Sequence, residues 1–181
     1  YGLKLLLNYI EKLKRKSSDF YILKLDISKY FYSIDHKVLK SLLKDKLTKE
    51  EYYFLDIIIS STNEDYINNR INYLKTSSIE KIKLINELKS IPLYRKGYGL
   101  SIGCLTNQLL ACFFLNDIDH MIKEELNCNS YIRYMDDLYL ISDDKKYLEY
   151  CFDRIKYELN KIELNINNKS GIYRLKEGVG F

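Results

Sequence analysis

Proline and glycine are scarce in this chain of 181 residues, which contains one proline and seven glycines. So few turn-forming residues predict a chain of regular helices and strands, and no linker or internal repeat divides the sequence. No apolar run reaches the ~20 residues that a membrane-spanning helix needs, and no secretory signal opens the chain. We therefore expect a cytoplasmic globular protein with no membrane partner.

Cysteine is also sparse, and its spacing excludes the common zinc-binding patterns. The four cysteines form no C-x-x-C pair and have no histidines at zinc spacing. We expect them to be reduced and mostly buried, which fits a reducing compartment. They are Cys104, Cys112, Cys128 and Cys151.

Charge of one sign is not in large excess, because 29 Lys and Arg residues face 25 Asp and Glu residues. Residues 1–18 hold five of the basic residues and one acid, so the rest of the chain is balanced. This basic end indicates either a phosphate-binding surface or a solvated helix end whose long side chains lie along apolar surface. The chain begins at Tyr1, so we expect further sequence upstream.

Apolar periodicity predicts most of the secondary structure. The predicted helices span residues 1–16, 35–47 with Asp35 as its cap, 49–60, 79–89, 105–125 and 145–161. The predicted strands span residues 20–27, 130–135 and 138–142, and a last strand begins over residues 171–175. Residues 63–78 lack a clear period and are expected to form a loop or a mobile insertion. This order predicts an α+β fold, an antiparallel sheet with helices packed on one face.

Carboxylates occupy positions in these strands where they are costly. Asp26 ends a strand that reads as buried on both faces, and Asp136 and Asp137 separate the two strands of a hairpin. A buried carboxylate needs a positive partner. If the strands are neighbours, the acids converge to bind hard divalent cations; the alternative is that Asp136-Asp137 is only a polar turn. A second acidic pair, Asp143-Asp144, is expected to cap a helix.

Segments of this chain resemble, in order, the motifs of bacterial reverse transcriptases. Residues 24–36, KLDISKYFYSIDH, resemble the first catalytic motif, and residues 134–137, YMDD, match the Tyr-x-Asp-Asp box. Between them, residues 99–108, GLSIGCLTNQ, and residues 115–119 resemble the motif B loop and helix. Residues 164–169 and 178–181 resemble the fourth motif and the start of the fifth. The resemblance implies the palm of a right-hand polymerase over residues 1–181, with part of the fingers and with the thumb following Phe181.

The resemblance also implies the metal chemistry. Asp26 and Asp136 would bind two Mg²⁺ ions, for which Mn²⁺ could substitute, with Asp137 beside them and the backbone carbonyl of Ile27 as a further ligand. The implied reaction adds dNTPs to the 3′ end of a DNA primer on an RNA template, with an accessory protein as a further possible partner. The implied source is prokaryotic.

Five residues match nucleotide-binding positions of the family. They are Phe31, Ile102, Gly103, Gln108 and Lys169. Phe31 matches the steric gate that excludes a ribose 2′ hydroxyl, with a core aromatic as the alternative. Lys169 matches a lysine credited with protonating pyrophosphate, with an exposed lysine as the alternative. Ile102 stands where many relatives have a glutamine that contacts the nucleotide, and it could instead pack into the palm.

The departures from the family pattern leave the subgroup and the exact activity open. An aliphatic residue at position 102 is typical of diversity-generating retroelement enzymes, but Asn107 stands where they have a serine. A defence-type relative that polymerises without a template and a non-enzymatic nucleic-acid-binding remnant remain as alternatives. The three retained acids argue against the remnant.

Overall fold

The computed structural model describes residues 2–15, 19–61, 64–77, 89 and 91–174. The helices are α1 (Gly2–Lys14), α2 (Tyr30–Ser33), α3 (His36–Lys44), α4 (Lys49–Ser60), α5 (Glu64–Ser77), α6 (Leu105–Phe114), α7 (Asn116–His120) and α8 (Lys145–Lys161). The strands are β1 (Tyr21–Asp26), β2 (Tyr131–Tyr134), β3 (Asp137–Ser142) and β4 (Gly171–Arg174). Two compact units result: a helical unit, Lys29–Phe114, and a sheet unit formed by the chain on either side of it.

The sheet unit is built on a four-stranded antiparallel sheet with the order β2-β3-β1-β4. Leu23 pairs with Leu140, and Leu25 pairs with Leu138. All four leucines are fully buried, and the strand register places them on one face of the sheet. The predicted α+β class and the antiparallel sheet are therefore confirmed.

Helices α8 and α1 both contact this sheet. Helix α8 contacts β1, β3 and β4, and its buried residues are Leu148, Cys151, Ile155 and Leu159. Helix α1 packs elsewhere: Tyr9 and Ile10 lie against a cluster of Phe20, Ile22 and Ile141. By strand alternation Ile22 faces away from the four leucines. Helix α1 thus covers the sheet on the face of Ile22, in addition to the single helix-covered face that the sequence predicts.

Three helices begin at residues whose side chains cap the first turn. The Asp35 carboxylate accepts hydrogen bonds from the backbone of Lys37 and Val38 and begins α3, as predicted. Asp144 caps α8 in the same way. Thr48 and Glu51 form a capping box at the start of α4.

The predicted loop over residues 63–78 is wrong, because Glu64–Ser77 forms α5. The side chain of Asn68 explains the difference: its Nδ2 donates to the Tyr94 carbonyl and its Oδ1 accepts from the Tyr94 N–H, both at 2.8 Å. These tertiary bonds outweigh the modest helix propensity of a segment rich in Asn and Thr. The helix predicted over residues 79–89 lies outside the described residues, apart from Lys89.

The helix predicted over residues 105–125 is divided. Leu115 leaves helical geometry (φ −94°, ψ 8°) between α6 and α7, and a π-helical turn, Met121–Glu125, follows α7. The break also marks where the chain passes from the helical unit to the sheet unit. Apolar periodicity continues through such a break, so the sequence does not reveal it.

The four cysteines are free thiols, but they are less buried than predicted. Cys128 and Cys151 are buried, Cys112 is half-buried, and Cys104 is exposed just before α6. Cys104 lies in the loop that precedes the helix, outside the apolar periodicity on which the prediction of burial rested. Among the described residues, no helix has the length and apolar character needed to cross a membrane.

Candidate active site

The three predicted catalytic acids meet at one end of the sheet unit. Asp26 lies directly opposite Asp137 in the β1–β3 register. One residue further on, the Ile27 N–H donates to the Asp136 carbonyl at 3.2 Å. The hairpin therefore brings Asp136 and Asp137 to the end of β1, where the sequence places Asp26 and Ile27.

The turn that carries Asp136 is held by an ion pair. Met135 has a left-handed backbone (φ +55°), which is uncommon for a residue with a side chain. Arg133 donates from Nη1 to the Met135 carbonyl at 3.0 Å. The same guanidinium binds Asp119 through two bonds, at 2.8 Å and 2.6 Å. Tyr131 donates its hydroxyl to Asp119 at 2.6 Å.

Sequence reasoning missed this support for the turn. Asp119 lies within a motif-like segment, but the sequence alone assigns no role to Asp119 or to Arg133. A basic residue directly before the Tyr-x-Asp-Asp box was the available signal. Its acidic partner stands 14 residues earlier in sequence, in a different element, and spacing alone does not indicate such a pair.

Burial and mutual repulsion dominate the electrostatics of the acids at this end of the sheet. Burial raises the pKa of Asp136, and the charges of Asp137 and Asp26 raise it further, against a lowering by a backbone hydrogen bond. Burial and Asp26 also raise the pKa of Asp137, while Lys24 lowers it. Positive charge added near these acids would relieve their repulsion.

Asp26 itself is held by a turn over residues 167–170. The Asn167 side chain donates to Asp26 Oδ2 at 2.9 Å, and the Asn167 N–H donates to the Asp26 carbonyl at 2.7 Å. The Asp26 N–H donates to Ser170 Oγ at 2.9 Å. Side chain and main chain of Asp26 are therefore both fixed. The predicted fourth motif thus lies against Asp26 of the predicted first motif.

The donor set suits a hard divalent cation, although the side chains do not enclose one. Carboxylate oxygens are the ligands that Mg²⁺ and Mn²⁺ prefer. Asp26, Asp136 and Asp137 supply them at a half-buried position, where the charge of Asp26 raises the pKa of both Asp136 and Asp137. As the side chains lie, no group of three His, Cys, Asp or Glu in the described part of the chain forms a metal cluster. The fit therefore rests on ligand chemistry and charge.

Four of the predicted nucleotide-binding residues belong to the helical unit. Phe31 lies in α2, half-buried, with its ring edge-on to Tyr30 at 5.9 Å between centroids. Ile102 is 64% exposed, so its side chain is not buried among the described residues. Gly103 has φ +101° beside it, and Gln108 is exposed on α6.

The loop before α6 is fixed by two features. The buried Asn107 side chain donates to the carbonyl of Ser101 at 3.1 Å and to its hydroxyl at 2.7 Å. Gly99 has φ +86°, and a Cβ there would lie 2.6 Å from the Tyr94 ring. The hydrogen bonds from Asn107 to Ser101 thus hold the loop that contains Ile102. From the sequence, Asn107 is recognised only as a departure from the family pattern.

The fifth residue, Lys169, belongs to the sheet unit. Its side chain is exposed, and its N–H donates to Asn167 Oδ1 at 3.2 Å. The turn that holds Asp26 therefore also carries Lys169. Exposure at this position is compatible with the expected role and with a plain surface lysine.

Comparison with protein families gives one match that covers nearly the whole chain. The family described as "Reverse transcriptase (RNA-dependent DNA polymerase)" matches residues 2–173. The comparison with curated proteins gives no match.

Solved structures of telomerase from Candida tropicalis share the fold. The apo enzyme truncated from its C-terminal domain superposes with a TM-score of 0.56 at 17% identity, covering 98% of this chain and 35% of that chain. The apo telomerase gives 0.54 at 14% identity, covering 96% and 31%. The telomerase bound to a TWJ fragment of telomeric RNA gives 0.52 at 16% identity, covering 96% and 29%. This chain thus spans about a third of the telomerase chains that it resembles.

Proposed function

This chain belongs to the reverse transcriptase (RNA-dependent DNA polymerase) family, and we propose that it forms the catalytic palm of an enzyme that extends a DNA primer on an RNA template. The observation that carries the proposal is the pairing of Asp26 with Asp137, with Asp136 in the adjoining turn. Three carboxylates at one end of the sheet supply negatively charged ligands, which the divalent cations of phosphoryl transfer require.

Asp26 and Asp136 would hold two Mg²⁺ ions, with Asp137 and the Ile27 carbonyl as further ligands and Mn²⁺ as a substitute. Held by these residues, such ions would supply positive charge that stabilises the attacking 3′ hydroxyl and the leaving pyrophosphate oxygen. The protein's part is to fix the ligands. Strand pairing fixes Asp26, and the Arg133 contact with Met135 fixes the turn before Asp136.

The substrate side is proposed from the helical unit and the turn at Lys169. Phe31 would exclude a ribose 2′ hydroxyl and favour dNTPs. Ile102, Gly103 and Gln108 would line the approach of the nucleotide and template, which the exposure of Ile102 and Gln108 supports. Lys169 would donate a proton to the leaving pyrophosphate.

The remaining proposals concern the setting of the enzyme. An RNA template, a DNA primer and dNTPs are the proposed partners, with an accessory protein as an addition. A prokaryotic cytoplasmic enzyme of the diversity-generating retroelement type is the proposed subgroup, which Ile102 supports and Asn107 does not.

The test is primer extension by the full-length protein with Mg²⁺ and dNTPs, in parallel reactions with an RNA template, with a DNA template and without template. The proposal expects a product whose sequence copies the RNA. A product of equal yield without template would replace it with template-independent polymerisation. Binding of the primer-template without extension would identify a nucleic-acid-binding remnant.

A further inference from the structure

The turn over residues 167–170 touches Asp26 at every polar position of its main chain. The Asn167 N–H donates to the Asp26 carbonyl at 2.7 Å, and Ser170 Oγ also donates to that carbonyl at 3.4 Å. The Asp26 N–H in turn donates to Ser170 Oγ at 2.9 Å. The backbone of Asp26 is therefore set by this turn as well as by its strand partners.

The Asn167 side chain adds a contact to the reactive group itself. Its Nδ2 donates to Asp26 Oδ2 at 2.9 Å, while its Oδ1 accepts from the Lys169 N–H at 3.2 Å. The Lys169 N–H can only donate, so the amide orientation follows from the network. Both ends of the side chain are engaged, and the turn closes on itself through Ser170 N–H to the Asn167 carbonyl at 3.0 Å.

The two carboxylate oxygens of Asp26 therefore differ in their hydrogen bonding. Oδ2 receives the amide hydrogen bond, and among the described residues no hydrogen bond reaches Oδ1. A carboxylate held at one oxygen cannot rotate freely, so its second oxygen keeps a fixed direction. Outer contacts of this kind orient metal-binding carboxylates and change cation affinity about 10- to 100-fold when removed.

Resting on the proposed function of the aspartates, we infer that Asn167 is a positioning residue that fixes the Asp26 carboxylate for cation binding. Asn167 does not bind the cation or the substrate in this account. It acts through Asp26. Because Asn167 also accepts a hydrogen bond from the Lys169 N–H, it couples the backbone position of Lys169 to the position of Asp26.

The experiment measures Mn²⁺ binding to the full-length protein by electron paramagnetic resonance, in the absence of nucleotide. Asn167→Ala, Asp26→Asn and the double variant form a cycle, which isolates the coupling between the two residues. We expect Asn167→Ala to weaken the Asp26-dependent site about tenfold or more. In the Asp26→Asn background the same change should have no further effect.

Asn168→Ala is the matched control. Asn168 is the exposed neighbour of Asn167, and among the described residues its side chain makes no hydrogen bond. We expect the Mn²⁺ affinity of the Asn168→Ala variant to equal that of the wild type. Asn167→Asp provides a second variant should Asn167→Ala fail to fold, since it retains the acceptor for Lys169 but cannot donate to Asp26. It should lower primer extension about tenfold or more.

Equal losses of affinity in the wild-type and Asp26→Asn backgrounds would overturn the inference, and so would unchanged affinity in folded Asn167→Ala. Unchanged extension by Asn167→Asp would also contradict it. The Mn²⁺-binding outcomes are separate from failure of the proposed function. Absence of template-directed extension by the wild type leaves the Mn²⁺ cycle readable by itself.

Discussion

Asp26 of β1 lies directly opposite Asp137 of β3 in the central strand pair of the sheet. Like charges placed opposite each other destabilise an antiparallel pair. The same arrangement concentrates carboxylate oxygens at one end of the sheet, with Asp136 in the adjoining turn. The fold therefore carries at this point a cost in stability that a bound cation would offset.

That cost predicts a pH-dependent gain in stability for Asp136→Asn. The pKa of Asp136 is raised above its usual 3.8, so the folded state holds this proton more tightly than the unfolded state. The favourable contribution is complete below the unfolded pKa and is lost as pH rises through the folded pKa. Without divalent cations, we expect the melting temperature of the variant to exceed that of the wild type at pH 7, with the gap closing near pH 4.

Asp143→Asn controls for the loss of one negative charge, because Asp143 is an exposed acid outside the cluster. Thermal unfolding at several pH values measures both variants. A constant gap for Asp136→Asn from pH 4 to pH 7 would mean that titration at this site does not contribute to stability.

A second prediction concerns the support of the catalytic turn. Arg133 is only 13% exposed in its side chain and binds both Asp119 and the Met135 carbonyl. Arg133→Lys keeps the charge but cannot form the same forked contact. We expect a loss of about 2 kcal/mol in unfolding free energy, as for a lost hydrogen bond to a charged group. Urea unfolding measures it.

Arg154→Lys is the control for this change. Arg154 also pairs with acids, but its side chain is 37% exposed. A surface pair of this kind contributes about 1 kcal/mol or less. If Arg133→Lys costs no more than Arg154→Lys, the ion pair does not hold the turn.

Gly99→Ala tests the close approach in the loop before α6. A Cβ at Gly99 would lie 2.6 Å from the Tyr94 ring at φ +86°, whereas Gly97, at φ +76°, has open space. Gly97→Ala should cost about 1 kcal/mol from backbone strain alone. Gly99→Ala should cost that amount and about 1 to 3 kcal/mol more from overpacking. Equal losses in urea unfolding would show that the ring moves aside freely.

These features show where sequence reasoning succeeds and where it stops. Local signals are sufficient for β1, for the hairpin around Asp136 and for the Asp35 and Asp144 caps, because each depends on neighbouring residues. Helix α5 depends on the distant contact of Asn68 with Tyr94. The role of Asn167 likewise depends on a residue 141 positions away, which no local pattern specifies.

The exposed Ile102 leads to a prediction about fidelity. An apolar side chain at this position cannot hydrogen-bond a nucleotide as the glutamine of many relatives would. Because Ile102 is 64% exposed, Ile102→Gln should not disturb folding. We expect it to lower the error rate about tenfold, within the range of a lost or gained polar contact. Sequencing of cDNA from a defined template measures the error rate in the full-length enzyme.

Leu105→Gln is the matched control, since Leu105 is 70% exposed at the start of α6. It should leave the error rate unchanged. An unchanged rate in Ile102→Gln would eliminate this role for Ile102 without affecting the assignment of the aspartates.

The catalytic role of the three acids is tested by the single-turnover rate of primer extension on an RNA template in Mg²⁺, compared between wild type, Asp136→Asn and Asp143→Asn. The amide removes a cation-binding charge from Asp136 without changing its shape. We expect Asp136→Asn to stay folded and to lose at least about a thousandfold in rate, equivalent to about 4 kcal/mol of transition-state stabilisation, while Asp143→Asn keeps the wild-type rate. Extension by Asp136→Asn at a rate near that of the wild type would show that Asp136 holds no catalytic cation.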